Sequence, residues 1–245
     1  MKLRKFPSKK PKRELNTSSV EYFRSAYDDV MYSGIVGFYS RMTHRIMERP
    51  FRGRNYKRVL EVGAGQGQHF NFVQCNIEEY LESDLDSELK IYSRNNENVS
   101  RYERITLDAQ NLDCFSDESF DRVIATCLLA HLDFPENALL EWKRVTKVGG
   151  VITIYVPTEP GMLLRLTRGV VMVPKSKKFG QDHLAVVYRD HRNHYPMMRT
   201  LIEVVFSGNQ IKRKRFPLPF LGWNFNFFEI FQITKLNCPP DSFSH

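Results

Sequence analysis

Nowhere in the 245 residues is there an apolar run approaching the roughly 18 to 20 residues that span a bilayer, and the N-terminus lacks the apolar core of a secretion signal. The expected protein is soluble and located in the cytoplasm. Cysteine is scarce: Cys75, Cys114, Cys127 and Cys238 form no C-x-x-C pair and no other metal-ligand spacing. Neither a disulfide framework nor a metal site is expected, since a reducing compartment keeps such thiols free. Acidic residues are missing from positions 1–13, "MKLRKFPSKKPKR", which hold seven Lys and Arg. The net charge of +8 therefore belongs mostly to this stretch, because the rest of the chain carries 29 basic against 28 acidic residues. A broad nucleic-acid-binding face on the globular part is not implied.

What is present reads in blocks. Residues 1–16, with two prolines, many charges and little to bury, read as a disordered basic arm. It is either a solubilising tail or an electrostatic tether to an anionic surface. Residues 17–53 place Tyr22, Phe23, Tyr27, Val30, Met31, Ile35, Phe38, Tyr39, Met42 and Ile46 at mostly helical spacing, which predicts a cap of two short helices joined near Gly34. From residue 54 to 245 strands alternate with helices. Strands are expected over 58–62, 77–83, 102–107, 120–127 and 151–156, and helices over 68–74, 87–95 and 135–146. After an insertion at 158–205, two strands at 210–216 and 225–235 read as an antiparallel pair at a sheet edge. The fold class is α/β: a mostly parallel sheet with helices on both faces.

The stretch "RVLEVGAGQGQHF" turns a buried strand directly into a helix, with Gly63, Gly65 and Gly67 on alternate positions. Glycines there give positive φ and let a ligand rest on bare backbone beside helix amides. A dinucleotide fingerprint would place its third glycine at Gln68; here it comes one position earlier, giving E-x-G-x-G-x-G. This pattern with Glu61 resembles motif I of the class I S-adenosylmethionine-dependent methyltransferases, and the likeness to type 11 members continues in order for about a hundred residues. It implies a Rossmann-like, seven-stranded fold with S-adenosylmethionine bound at Glu61, Gly63, Ala64, Gly65 and Gly67. Asp84, followed by Leu85, falls where the family's acid accepts the ribose hydroxyls, with Glu82 and Asp86 as alternatives. Asp108 and Ala109 match the segment that contacts adenine, and "EWKRVTKVGG" matches the family's turn before the fifth strand.

The chemistry implied is in-line methyl transfer, in which positioning contributes more than a general base. The [D/N]-P-P-[Y/F] motif of base-amine methylation is absent, since that position reads Thr126-Cys127-Leu128-Leu129. Cys127 lacks the Pro-Cys context of a cytosine nucleophile and reads as an apolar-flanked core residue of the strand, counted with the cofactor-binding residues because it ends the fourth strand. Base methylation is therefore disfavoured and nucleic acid is not the expected partner, while ribose and protein acceptors stay open. His131, where the family often has a histidine, either relays an acceptor proton or packs structurally.

The insertion carries an apolar helix with Arg165 and Arg168, a basic turn at Lys175, Lys177 and Lys178, and the segment "RDHRNHYP". In that segment His191, His194 and Tyr195 are the expected acceptor-side catalytic groups and Arg189 and Arg192 the anchors for an anionic group. The layout is similar to bacterial methyltransferases of surface-glycan and lipid biosynthesis. Apolar residues interleaved with Lys and Arg suit an anionic amphiphile or the inner face of the membrane, and equally a plain helical cap. Two functions stand: a methyltransferase acting on a small-molecule, lipid or lipid-linked acceptor, and a non-catalytic module of this fold binding RNA or a protein partner.

Overall fold

The computed structural model describes residues 31–86, 95–178, 180 and 183–237. The arm at 1–16, most of the first cap helix and nearly all of the helix expected over 87–95 lie outside the described residues. Seven strands form one sheet: β1 (Asn55–Val62), β2 (Asn76–Asp84), β3 (Val99–Thr106), β4 (Phe120–Thr126), β5 (Thr146–Pro157), β6 (Gln210–Phe216) and β7 (Phe228–Thr234). Their spatial order is β3-β2-β1-β4-β5-β7-β6. The first five strands pair in parallel, while β7 runs antiparallel to both β5 and β6. The last two strands are an antiparallel pair as expected, but only β6 is an edge; β7 inserts beside β5 and is buried along most of its length.

Alternation within β1 explains the two faces of the core. Leu60 and Val62 pack into the cluster beneath helices Pro135–Val145 and Tyr195–Val205, with Trp142, Met198 and Ile202. Val59 turns the other way, toward Met47, Phe51, Phe70 and Tyr80. That second face is covered by α1 (Gly34–Glu48), which buries Thr43, His44, Met47 and Glu48 at the spacing of one helix face. Ser33 breaks the helical run that includes Met31 and Tyr32, and Gly34 at φ +58° starts α1.

The insertion is one helical rod followed by two further helices. Met162–Thr167, a π-turn at Arg168–Met172 and Val173–Lys177 run on without a gap, so Lys175 and Lys177 sit on the last helical turn and not in a separate basic turn. Helix His183–Asp190 and helix Tyr195–Val205 follow. Lys175 Nζ donates to the Ser33 carbonyl at 2.9 Å, tying the rod to the start of α1.

Candidate active site

Strand order reverses between β1 and β4, and at such a switch point the loops leaving neighbouring strands diverge and open a crevice. The glycine loop leaves β1 on one side and Cys127–Leu128 leave β4 on the other. The walls approach closely at Gly63, where an added Cβ would lie 2.5 Å from Leu128 Cδ1. Gly65 is the opposite case: an added Cβ meets nothing within 4 Å, so bare backbone faces open space. Both have positive φ, 61° and 57°, as does Gly67 at 74°. The cavity at this crevice, about 440 Å³, is lined by Gly63, Ala64, Gly65, Asp84, Cys127 and His131 together with residues of α1.

Asp84 is fixed by backbone amides. Its Oδ2 accepts from Gly65 N at 2.7 Å and its Oδ1 from Asp86 N at 3.0 Å, leaving each oxygen a second lone pair for a ligand hydroxyl. The alternative Glu82 is fully buried and pairs with Arg104, whose Nη2 also donates to the Gly65 carbonyl at 2.7 Å. Glu61 lies buried beneath the loop, accepting from Tyr80 Oη at 2.5 Å. Asp108 turns back on its own loop, accepting from Gln110 N and Nε2, and the Ala109 carbonyl accepts from Trp142 Nε1 at 3.0 Å. Leu85, 63% exposed, sits beside Asp84. Glu61, Leu85, Asp108 and Ala109 are not among the residues lining the cavity.

A second cavity of about 380 Å³ adjoins the first and is mostly apolar, bounded by Ile35 and Tyr39 of α1, Leu164 and Met172 of the rod, and Phe227 and Phe228. Cys127, His131 and Tyr155 line both cavities. Cys127 holds a left-handed backbone, φ 57°, unusual for a residue with a Cβ and placed where the two spaces meet. Burial pushes its thiol up to about 12, so it stays protonated and is no nucleophile. His131 keeps accessible surface, which faces the two cavities it lines, while the surrounding chain crowds the ring. Removal from solvent, reinforced by His191, pushes its pKa down to about 3, so the ring is neutral and its N–H donates to the Asp190 carbonyl.

The segment "RDHRNHYP" splits. His191 lines the apolar cavity and packs edge-on to His131, centroids 4.7 Å apart. The Arg192 and Asn193 amides both donate to the Ala130 carbonyl, and Asn193 Nδ2 bonds the Leu129 and Leu132 carbonyls, pinning the segment to the loop after β4. Arg192 pairs with Asp133. Exposed His194 precedes the helix it starts and lines an outer cavity. Tyr195 belongs to the core, 1% exposed, with its hydroxyl donating to Glu229. It lines neither adjoining cavity.

Two buried charge clusters had no signal in motif spacing. Glu48 of α1 accepts from Arg122 of β4 at 2.6 and 3.0 Å and from His69 Nε2 at 3.0 Å. His69 Nδ1 meets His44 Nδ1 at 2.9 Å, and His44 Nε2 meets Tyr32 Oη at 2.9 Å. With both imidazoles neutral, one direction satisfies the run: Tyr32 donates to His44, His44 to His69, and His69 to Glu48. The second cluster is Glu159, held between Arg168 and His191. The helical spacing of His44 and Glu48, four apart, and an arginine in the apolar strand "DRVIA" were the available hints of the first.

Residues 60–154 match a family model described as a methyltransferase domain. A curated relative, phosphatidylethanolamine N-methyltransferase of Cereibacter sphaeroides, is 32% identical over 103 residues, 40% of this chain and 49% of that protein. The chain thus spans about half the length of that relative. Among solved structures, an S-adenosylmethionine-dependent methyltransferase of Thermotoga maritima superposes with TM-score 0.57 at 17% identity, covering 89% of this chain and 99% of its own. One of Archaeoglobus fulgidus gives 0.55 at 14%, covering 85% and 98%. Residues 60–154 thus carry the likeness to a methyltransferase domain, and the chain as a whole shares the fold of these S-adenosylmethionine-dependent enzymes. The crevice fits that cofactor: open backbone at Gly65 beside a carboxylate, Asp84, suits a ribose diol.

Proposed function

We propose that this chain transfers a methyl group from S-adenosylmethionine to a lipid or other small amphiphilic acceptor, working against an anionic membrane surface. The observation that carries this reading is the shared wall. Because Cys127, His131 and Tyr155 line both cavities, a ligand held by the glycine loop and Asp84 abuts an acceptor whose apolar part fills the second cavity. S-adenosylmethionine supplies an electrophilic methyl carbon. The protein's share is to hold the acceptor in line, exclude water and accept a proton where there is one to lose; His131, His191 and His194 are the groups available for that last task.

The outer surface supports the lipid reading. Met162, Leu166 and Val170 recur every four residues along the rod and are 56 to 67% exposed. Beside them Arg165, Lys177 and Lys178 are exposed, and residues 160–181 carry no acidic side chain, which suits anionic headgroups around an apolar contact. The arm at 1–16 adds a second basic segment. The relative named for phosphatidylethanolamine methylation points the same way. Among the described residues no helix is long and apolar enough to cross a membrane, so the contact proposed is peripheral.

The test uses the full chain with methyl-labelled cofactor, offered phosphatidylethanolamine–phosphatidylglycerol vesicles and, separately, a cell extract fractionated into lipid, glycan, RNA and protein. Label in the lipid fraction, with micromolar cofactor binding by calorimetry, is the expected result. Absence of cofactor binding, or label confined to RNA, overturns the reading.

A further inference from the structure

Between the apolar cavity and the exterior stands the triplet of Glu159, Arg168 and His191. Glu159 Oε1 accepts from Arg168 Nη1 and its Oε2 pairs with His191 Nδ1. Burial by itself raises the Glu159 pKa, but the hydrogen bond and charge of His191 and the charge of Arg168 outweigh it and hold the carboxyl down at about 2. The group is therefore a carboxylate across the working range, able only to accept. In the neutral ring, a bond to this carboxylate fixes the hydrogen of His191 on Nδ1 and leaves Nε2 as the lone pair able to take a proton.

The surroundings of His191 give that lone pair a task. The ring lines the apolar cavity and also an outer cavity of about 720 Å³ shared with Glu159, Arg165 and His194. His131, its neighbour toward the glycine loop, has a pKa pushed down to about 3, which makes it a weak proton acceptor. Among the described residues no other imidazole lines both the apolar cavity and the outer one.

We propose that His191 is the base for a protic acceptor, a hydroxyl or an amine, lodged in the apolar cavity, and that Glu159, clamped by Arg168, is the positioning residue that selects its tautomer. This rests on the methyl-transfer reading. As the acceptor lone pair forms its bond to the methyl carbon, the electron pair of the breaking C–S bond returns to sulfur. The acceptor's O–H or N–H proton then passes to His191 Nε2. The positive charge that began on the sulfonium ends on the imidazolium, facing the Glu159 carboxylate, and the proton leaves to water through the outer cavity. An acceptor without a proton to lose, such as a thioether, would need no such base.

The experiment has an arm independent of turnover. Nitrogen-15 imidazole spectra of the full chain are expected to show His191 as a single Nδ1–H tautomer, and Glu159→Gln/Arg168→Met, which removes both charges together, to bring in the Nε2–H form. In the second arm, labelling is measured with phosphatidylethanolamine vesicles or with the acceptor that the extract screen identifies. Glu159→Gln and the double variant should each lower kcat about 100-fold or more, the range of a general base, with cofactor Kd and acceptor KM nearly unchanged. His191→Ala should lose a similar factor and regain activity with added imidazole. An Nε2–H tautomer in the unmodified chain overturns the proposal whatever the acceptor, as does full activity of His191→Ala. Loss of cofactor binding in the unmodified chain would instead overturn the methyl-transfer reading itself.

Discussion

The molecule contains two triplets of the same composition, a glutamate held between an arginine and a histidine. They differ in what surrounds them. Glu48 and Arg122 have fully buried side chains and His69 is 1% exposed, and the guanidinium of Arg122 also lies 3.7 Å over the Phe51 ring. Glu159, Arg168 and His191 keep 11 to 14% of their side-chain surface and open onto cavities on two sides. The sealed triplet ties α1 to the centre of the sheet across 74 residues, and through His69 and His44 it sets one wall of the cavity at the glycine loop. The open one borders the space proposed for the acceptor. Identical groups act as a structural clamp where water is excluded and as candidate chemistry where a ligand has access, because a charged group can change protonation at low cost only where something can solvate or exchange the proton.

The largest expected effect separates the two arginines. Arg122→Met strands the Glu48 carboxylate in the core and should cost about 3–5 kcal/mol in denaturant unfolding. Arg168→Met leaves Glu159 beside the outer cavity and should cost about 1–2 kcal/mol. Equal losses would erase the distinction between clamp and site.

Ligand affinity divides the molecule in the same way. Asp84→Ala removes an anionic acceptor and should weaken S-adenosylmethionine binding by about 1.5–3 kcal/mol, and Gly65→Arg should abolish it by filling the open space beside the backbone. Glu159→Gln should leave that affinity within about 0.5 kcal/mol. Titration calorimetry of the three variants makes the comparison.

Acid sharpens it further. Burial and the neighbouring His69 hold the His44 pKa well below 6.5 despite the opposing pull of Glu48. The unfolded chain binds that proton first, so this contribution is complete above about pH 6.5 and falls away as pH drops below it, by at most about 1.4 kcal/mol per pH unit. Replacing His44 by Asn should flatten the stability profile between about pH 6.5 and the onset of carboxylate titration. Urea unfolding at a series of pH values reads this slope, and an unchanged slope removes His44 from the sealed cluster's acid response.

The smallest effects belong to the surface of the rod. Lys177→Ala and Lys178→Ala should each weaken binding to anionic vesicles by about 1 kcal/mol while leaving folding stability within about 0.5 kcal/mol. Sedimentation with phosphatidylglycerol vesicles measures the first and thermal unfolding the second.

Much of the frame was legible along the chain because it rests on local chemistry. The strand of "RVLEV" and its glycine turn, the strand 210–216 and the helix starting at Pro135 fall where composition and periodicity put them. The helix expected over 68–74 is a shorter 3-10 turn, Gln68–Phe72, set by the left-handed Gly67 before it. β5 begins at Thr146, earlier than 151, because the "TKVGG" turn still pairs with β4 at Phe120. "RDHRNHYP" read as one reactive surface, yet its alternate members are divided between cavity, loop anchor and core. A loop pinned at the Ala130 carbonyl has no single face, and no period reveals which side chain turns inward.

The sequence by itself determined the alternating strands, the site of backbone exposure at Gly65, the carboxylate of Asp84 nineteen residues on, and the concentration of positive charge in the arm and the insertion. Each follows from interactions within a few residues or from covalent properties that any conformation keeps. Only the tertiary structure decided that β7 lies inside the sheet, that Glu48 meets Arg122, that Glu159 meets His191, and that the crevice at the glycine loop opens into an apolar cavity walled by α1 and the rod. Those pairings join residues 32 to 74 positions apart. They depend on the order in which strands are laid into the sheet, and on how the charges left over must be matched once water is excluded.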